Sequence, residues 1–134
     1  MSANLDLVRS IVAAWARGDF SSTEWADPEI EYVFHDGPEP GRWRGVTEMG
    51  EATRDFLRAW ERFRWVADEY RELEDGQVVV LTHNTGRGRT SGIEIEQIWG
   101  GRGALLARVR DGKVARLDVY FDRDRALADL GLEA

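Results

Sequence analysis

The stretch ALLARVRDGKVARLDVYFD, residues 104–122, decides the fold. Asp111-Gly112 supplies the dipeptide of a tight hairpin turn, with strand-like runs on both sides. Ala104 to Arg110 and Val114 to Phe121 therefore read as two antiparallel strands. The same signal recurs upstream: Phe63 to Leu73, then Asp75-Gly76, then Val78 to Thr85, which reaches a glycine-rich tip at Gly86 to Gly92. Ile93 to Trp99 reads as a returning strand, interrupted by Gly100-Gly101-Arg102-Gly103. The C-terminal half is thus an antiparallel meander. A short helix closes it from Arg123 to Leu130, with Ala126, Leu127 and Leu130 on its apolar face. That helix is expected to pack back on the sheet and shut one end of it.

The N-terminal half is mostly helical. From Asn4 to Arg17, Leu5, Val8, Ile11, Val12 and Trp15 recur at helical spacing, Asn4 can cap, and Gly18 is placed to end the helix. Ser21 and Glu24 fit a capping box, which predicts a short helical turn carrying Phe20 and Trp25 inward. Asp27-Pro28 breaks it. Ile30, Tyr32 and Phe34 then alternate with Glu31, Val33 and His35 as a strand. Residues 36–45 hold three Gly and two Pro and read as an irregular loop. A second helix is predicted from Thr47 to Trp60, with Met49, Ala52, Phe56 and Trp60 as its apolar stripe. Helices segregated from antiparallel hairpins make an α+β fold, and a long twisted sheet wrapped around helices leaves a cavity between them.

Composition bounds the function. The 134 residues suit a single domain spanning 1–134. A composition of 43% hydrophobic and 32% charged residues excludes a disordered chain. No apolar run approaches the roughly 18 residues of a spanning helix, and Met1 to Ser10 has no signal-peptide core, so a cytoplasmic protein is expected, with no membrane partner. Cysteine is absent, and the two histidines, His35 and His83, have no ligand spacing, so no metal site and no cofactor are expected. A net charge of −7 argues against nucleic acid as a partner. Six Trp suit a pocket wall or an interface.

Three pieces in this order carry a family resemblance. They are Ala-Arg-Gly-Asp-Phe (16–20), Asp-Pro-Glu-Ile-Glu-Tyr-Val (27–33) with Arg-Gly (44–45), and Asp-Gly-Lys-Val (111–114) leading to Tyr-Phe-Asp (120–122) and Ala-Leu-Ala-Asp-Leu-Gly-Leu (126–132). Together they resemble the SnoaL-like and ketosteroid-isomerase-like branch of the nuclear transport factor 2-like superfamily. The resemblance implies a cone-shaped, curved, mostly antiparallel sheet with N-terminal helices covering its concave face, as in cystatin-like folds. It also implies a homodimer through the sheet, an expectation shared by the apolar residues on both faces of several strands. Against the isomerases, Ile11 stands where a donor tyrosine is expected, Leu105 falls near the second acid, and Asp36 is the nearest match to the general base. Steroid isomerisation is therefore not expected. The SnoaL-like cyclases carry their acid/base where Asp122 ends the last strand.

The candidate residues follow. Asp122 is read as an acid/base at a cavity mouth or as the N-cap of the closing helix. His35 and Asp36 are read as a base or donor at the cavity rim, or as a half-exposed His and a turn-forming Asp. His83 shares the Val79/Leu81/Thr85 face, which points into the cavity or outward, a choice that periodicity leaves open. Glu94 and Glu96 share a strand face, as a solvated pair with Arg87, Arg89 and Arg102 as partners. The Gly86–Arg89 arginines keep a hairpin tip soluble. Trp15, Tyr32, Phe56, Trp60, His83, Trp99 and Phe121 are the expected ligand-binding wall, and Trp65 and Tyr120 complete the aromatic stock. The expected ligand is a small hydrophobic molecule. The function is then a pocket protein, with cofactor-free proton transfer (an isomerase, cyclase or dehydratase) as its enzymatic form. The alternative is a non-catalytic ligand-binding or dimerisation module.

Overall fold

The computed structural model describes residues 2–37 and 40–133, with the backbone alone at Ile98 and Trp99. The elements run α1 (Ala3–Ala16), β1 (Ala26–Phe34), β2 (Gly41–Arg44), α2 (Val46–Ala59), β3 (Trp60–Glu72), β4 (Gln77–Gly88), α3 (Ile95–Trp99), β5 (Arg102–Arg110), β6 (Lys113–Tyr120) and α4 (Arg123–Leu130). The six strands form one curved, unclosed sheet in the order β2-β1-β6-β5-β4-β3, and only the β1–β6 pair is parallel.

Local chemistry explains most boundaries. The cap of α1 is Ser2, whose Oγ accepts from Leu5 N at 2.9 Å, two residues before the expected Asn4. Gly18, at φ 85°, turns the chain after α1 as expected. No helix forms at 21–25, and the expected helical turn is reduced to a single turn that Ala26 N closes on Thr23 O at 3.0 Å: the Asp19 carboxylate takes Ser21 N at 3.0 Å and Ser21 Oγ at 2.6 Å, which removes the capping hydroxyl. The expected loop at 36–45 contains β2, which pairs antiparallel to β1 with Tyr32 opposite Trp43. The expected strand at 93–99 is instead the helical turn α3. Glu94 and Gln97 form its capping box and Gly100 ends it in the left-handed region. The Ile-Glu-Ile-Glu alternation fits period two, but the capping pair at i and i+3 prevails. Glu94 and Glu96 therefore do not form a carboxylate pair on a strand.

Both faces of the sheet are covered at the start of β4, which is why Val78 to Leu81 is an unbroken apolar run. Val78 and Val80 face the concave side with Leu105, Val119 and Phe121. Val79 and Leu81 face the outer side with Leu106 and Tyr120, beneath Ala126 and Leu127 of α4. The closing helix thus lies on the outer face rather than shutting an end of the cone. The apolar outer residues that suggested pairing between copies are buried under it, and among the described residues Ile93 is the one large apolar side chain that is exposed.

Candidate functional site

The concave side is filled mainly by aromatic rings. Trp15 arrives from α1, Phe20 and Trp25 from the α1–β1 connection, Tyr32 from β1 and Trp65 from β3. The Trp15 ring stands 5.2 Å from Trp65, 5.8 Å from Trp25 and 6.1 Å from Phe20. Phe121 is fully buried and packs 5.5 Å from Phe56 and 6.3 Å from Trp65.

An open cleft of about 350 Å³ remains between this cluster and α2. Trp15, Phe20, Trp25, Tyr32 and Trp65 form one wall, and Met49, Gly50, Thr53, Arg54 and Leu57 of α2 form the other. Positions 49, 53 and 57 recur every fourth residue, so one helix face carries that wall. Among the described residues no carboxylate lines the cleft, and its charged side chain is Arg54.

The polar side chains at this cleft are the hydroxyls of Ser21, Ser22, Thr23, Tyr32 and Thr53 and the Arg54 guanidinium. Burial pushes the Tyr32 phenol up to about 12, against a hydrogen bond from Thr53, so the hydroxyl stays neutral and keeps its proton. The indole Nε1 of Trp65 is buried and has no partner among the described residues. A buried donor without a partner is costly, and an acceptor supplied by a ligand would remove that cost once the indole, which has no accessible surface at Nε1, turns toward the cleft.

The residues expected from the sequence are distributed otherwise. Trp15 and Tyr32 line this cleft, while Phe56 and Trp60 line a second one across α2. The Trp99 side chain lies outside the described residues. His83 faces outward beside Val79 and Leu81, with Nδ1 2.6 Å from Asp68 Oδ1. Asp68 also takes Arg123 Nη2 at 2.7 Å. Burial acts against ionisation there, but hydrogen bonds from Arg123 and His83 hold the Asp68 carboxyl below its ordinary range.

His35 also stands on the outer face. Its ring stacks on Tyr120 at 4.3 Å, and Nε2 lies 2.7 Å from buried Asp118 Oδ1, which Arg116 grips as well. Asp36 turns the other way and accepts Phe121 N at 2.6 Å and Asp122 N at 3.3 Å. Gly37, at φ 92°, permits that bend, and a Cβ there would meet the Phe121 ring at 2.5 Å. Asp122 is exposed and caps α4 by accepting Arg125 N at 3.3 Å. The three acid/base candidates therefore meet near the β6–α4 junction and do not line the aromatic cleft. The cleft residues missing from the expected wall include Phe20, Trp25, Met49, Thr53, Arg54, Leu57 and Trp65. Thr53 was legible as the polar member of the Met49–Leu57 face; Arg54 carried no such signal.

The SnoaL-like domain profile matches residues 8–117. An uncharacterised protein of Mycobacterium tuberculosis (strain ATCC 25618 / H37Rv) is 30% identical over 122 residues, covering 89% of this chain and 88% of its own. A nuclear transport factor 2-like protein of unknown function from Burkholderia pseudomallei K96243 superposes with a TM-score of 0.76 at 20% identity, covering 96% and 97% of the two chains. A nuclear transport factor 2-like protein from Burkholderia thailandensis E264 gives a TM-score of 0.74 at 22% identity, covering 89% and 90% of the two chains.

Proposed function

The chain belongs to the SnoaL-like family, and from that premise we propose that it binds a planar, largely apolar small molecule bearing a carbonyl, carboxylate or enol oxygen. The observation that carries this reading is the cleft of about 350 Å³ with aromatic walls, a neutral Tyr32 hydroxyl, the unpartnered Trp65 indole and Arg54 as its charged side chain. Aromatic walls favour a flat ligand through buried area, and the Arg54 charge with the free Tyr32 proton favours an acceptor at its edge. Binding is favoured over proton transfer because Asp36 and Asp122 serve backbone groups and His35 serves Asp118 on the outer face. A homodimer is proposed only as the family's common assembly, and sedimentation showing monomer alone would remove it.

The test is a fluorescence titration with 2-naphthoate, with naphthalene as the control lacking an acceptor. Naphthoate should quench tryptophan emission saturably, and Tyr32→Phe or Trp65→Phe should weaken its binding about tenfold, the worth of one well-placed hydrogen bond. Equal binding of both compounds, or unaltered affinity in both variants, would overturn the reading.

A further inference from the structure

A second cleft opens on the opposite side of α2, with a volume of about 170 Å³. Its floor is aromatic: Phe34 lies 5.6 Å from Trp43 at 88° and 5.8 Å from Phe56 at 74°, and Phe56 lies 6.2 Å from Trp60 at 35°. Rings set at such angles present several π-faces and edges to one volume. The α2 side of the cleft contributes Glu48, Glu51 and Asp55, and among the described residues no Lys, Arg or His lines it. Glu48 Oε1 accepts Arg44 N at 3.1 Å, and Asp55 meets Arg58 at 3.0 Å in an exposed pair. Glu51 has no ion pair or hydrogen bond among the described residues.

We propose that this second cleft binds a small quaternary or tertiary ammonium ion that carries a hydroxyl, an amino-alcohol cation. Three independent features converge on that class. The π-faces attract an ammonium group that sheds its water poorly onto aliphatic walls but well onto rings. The carboxylates at the rim supply the opposite charge, with Glu51 uncommitted. The buried Trp60 Nε1 has no partner among the described residues and no accessible surface, and a ligand hydroxyl oxygen would accept from it once the ring turns toward the cleft. Size agrees: a cavity of roughly 150 Å³ holds benzene, so a cleft of about 170 Å³ has room for a trimethylammonium head. The two clefts thus differ in charge on either side of one helix, with Arg54 facing the first and Glu51 the second.

The experiment titrates the full chain with choline and, separately, with 3,3-dimethyl-1-butanol, its uncharged carbon isostere, while following the indole N–H resonances by NMR. Choline should shift the Trp43 and Trp60 signals saturably, with the isostere at least about tenfold weaker, as one cation–π contact and one facing carboxylate imply. Glu51→Gln, an exposed change that leaves the fold intact, should weaken choline about threefold to tenfold, and Trp43→Ala should weaken it further. Equal affinity for choline and the isostere would overturn the proposal. So would shifts centred on Trp15, Trp25 and Trp65, or unchanged affinity in both variants.

Discussion

Thr53 Oγ1 lies 3.3 Å from the Tyr32 hydroxyl oxygen and donates to it, which ties α2 to β1 across the wall of the larger cleft. The phenol proton is therefore left to point elsewhere, and burial keeps it in place. With a pKa pushed up from 10.0 to about 12, the folded chain holds that proton more tightly than the unfolded chain does. Stability is unaffected by this group below pH 10.0 and falls as pH rises from there to about 12. Denaturation midpoints measured across that window should drop, and Tyr32→Phe should lessen the drop. The remaining slope belongs to Tyr120, which burial and the nearby Asp129 also push up to about 12, and to Tyr70, which burial raises as well. An identical alkaline profile in the variant would contradict the assignment.

Asp118 is buried on the outer face, where Arg116 and His35 satisfy it. Asp118→Ala removes the shared acceptor and leaves Arg116 with Glu31, 3.4 Å away, as its other carboxylate. Because Arg116 and His35 reach water, the loss should be about 1–3 kcal/mol rather than that of a fully buried pair. Urea unfolding checks this, and a midpoint equal to that of the parent would show that the network adds nothing.

Asp122 separates capping from proton transfer. Asp122→Asn keeps an acceptor for Arg125 N and should be silent, while Asp122→Ala should cost about 0.5–2 kcal/mol in thermal or urea unfolding. Ligand affinity should be the same in both variants. A hundredfold loss of turnover in the Asn variant, with any substrate, would restore the acid/base role.

Asp36 holds the β6–α4 junction through two backbone N–H groups. Asp36→Ala strands both donors and should destabilise by about 1–3 kcal/mol. Asp36→Asn retains one acceptor oxygen and should lose about half of that. Equal stability of the Ala variant and the parent would rule out the bridging role.

Much of the fold was legible because its signals were redundant. Asp75-Gly76 and Asp111-Gly112 each sit between strand-like runs, and both form the turns expected, with every one of the four at positive φ. Legibility failed where two readings shared one pattern. Ile93–Trp99 alternates like a strand but carries the Glu94–Gln97 capping pair. Gly41–Arg44 looked like loop because four residues between Pro40 and Gly45 are too few to show a strand's alternation, although they pair with β1 as a hairpin. For the site, Trp15 and Tyr32 were visible as inward aromatics. The side on which His35 and His83 stand was not, since β4 is apolar on both faces and α4, distant in sequence, covers the outer one. Which aromatics fill the cone and which border an opening depends on how α2 seats, a packing property that no single segment encodes.

The central claim is that the cleft between the α1–β1 connection and α2 takes a planar ligand with an acceptor edge. The six tryptophans, at positions 15, 25, 43, 60, 65 and 99, are its internal reporters. An NMR titration of their indole N–H signals with 2-naphthoate tests it most directly. The account predicts saturable shifts at Trp15, Trp25 and Trp65, the largest at the Trp65 N–H as it gains an acceptor, with Trp43 and Trp60 nearly still. Shifts confined to Trp43 and Trp60, or no saturable shift at millimolar ligand, the order of the weakest specific complexes, would contradict it.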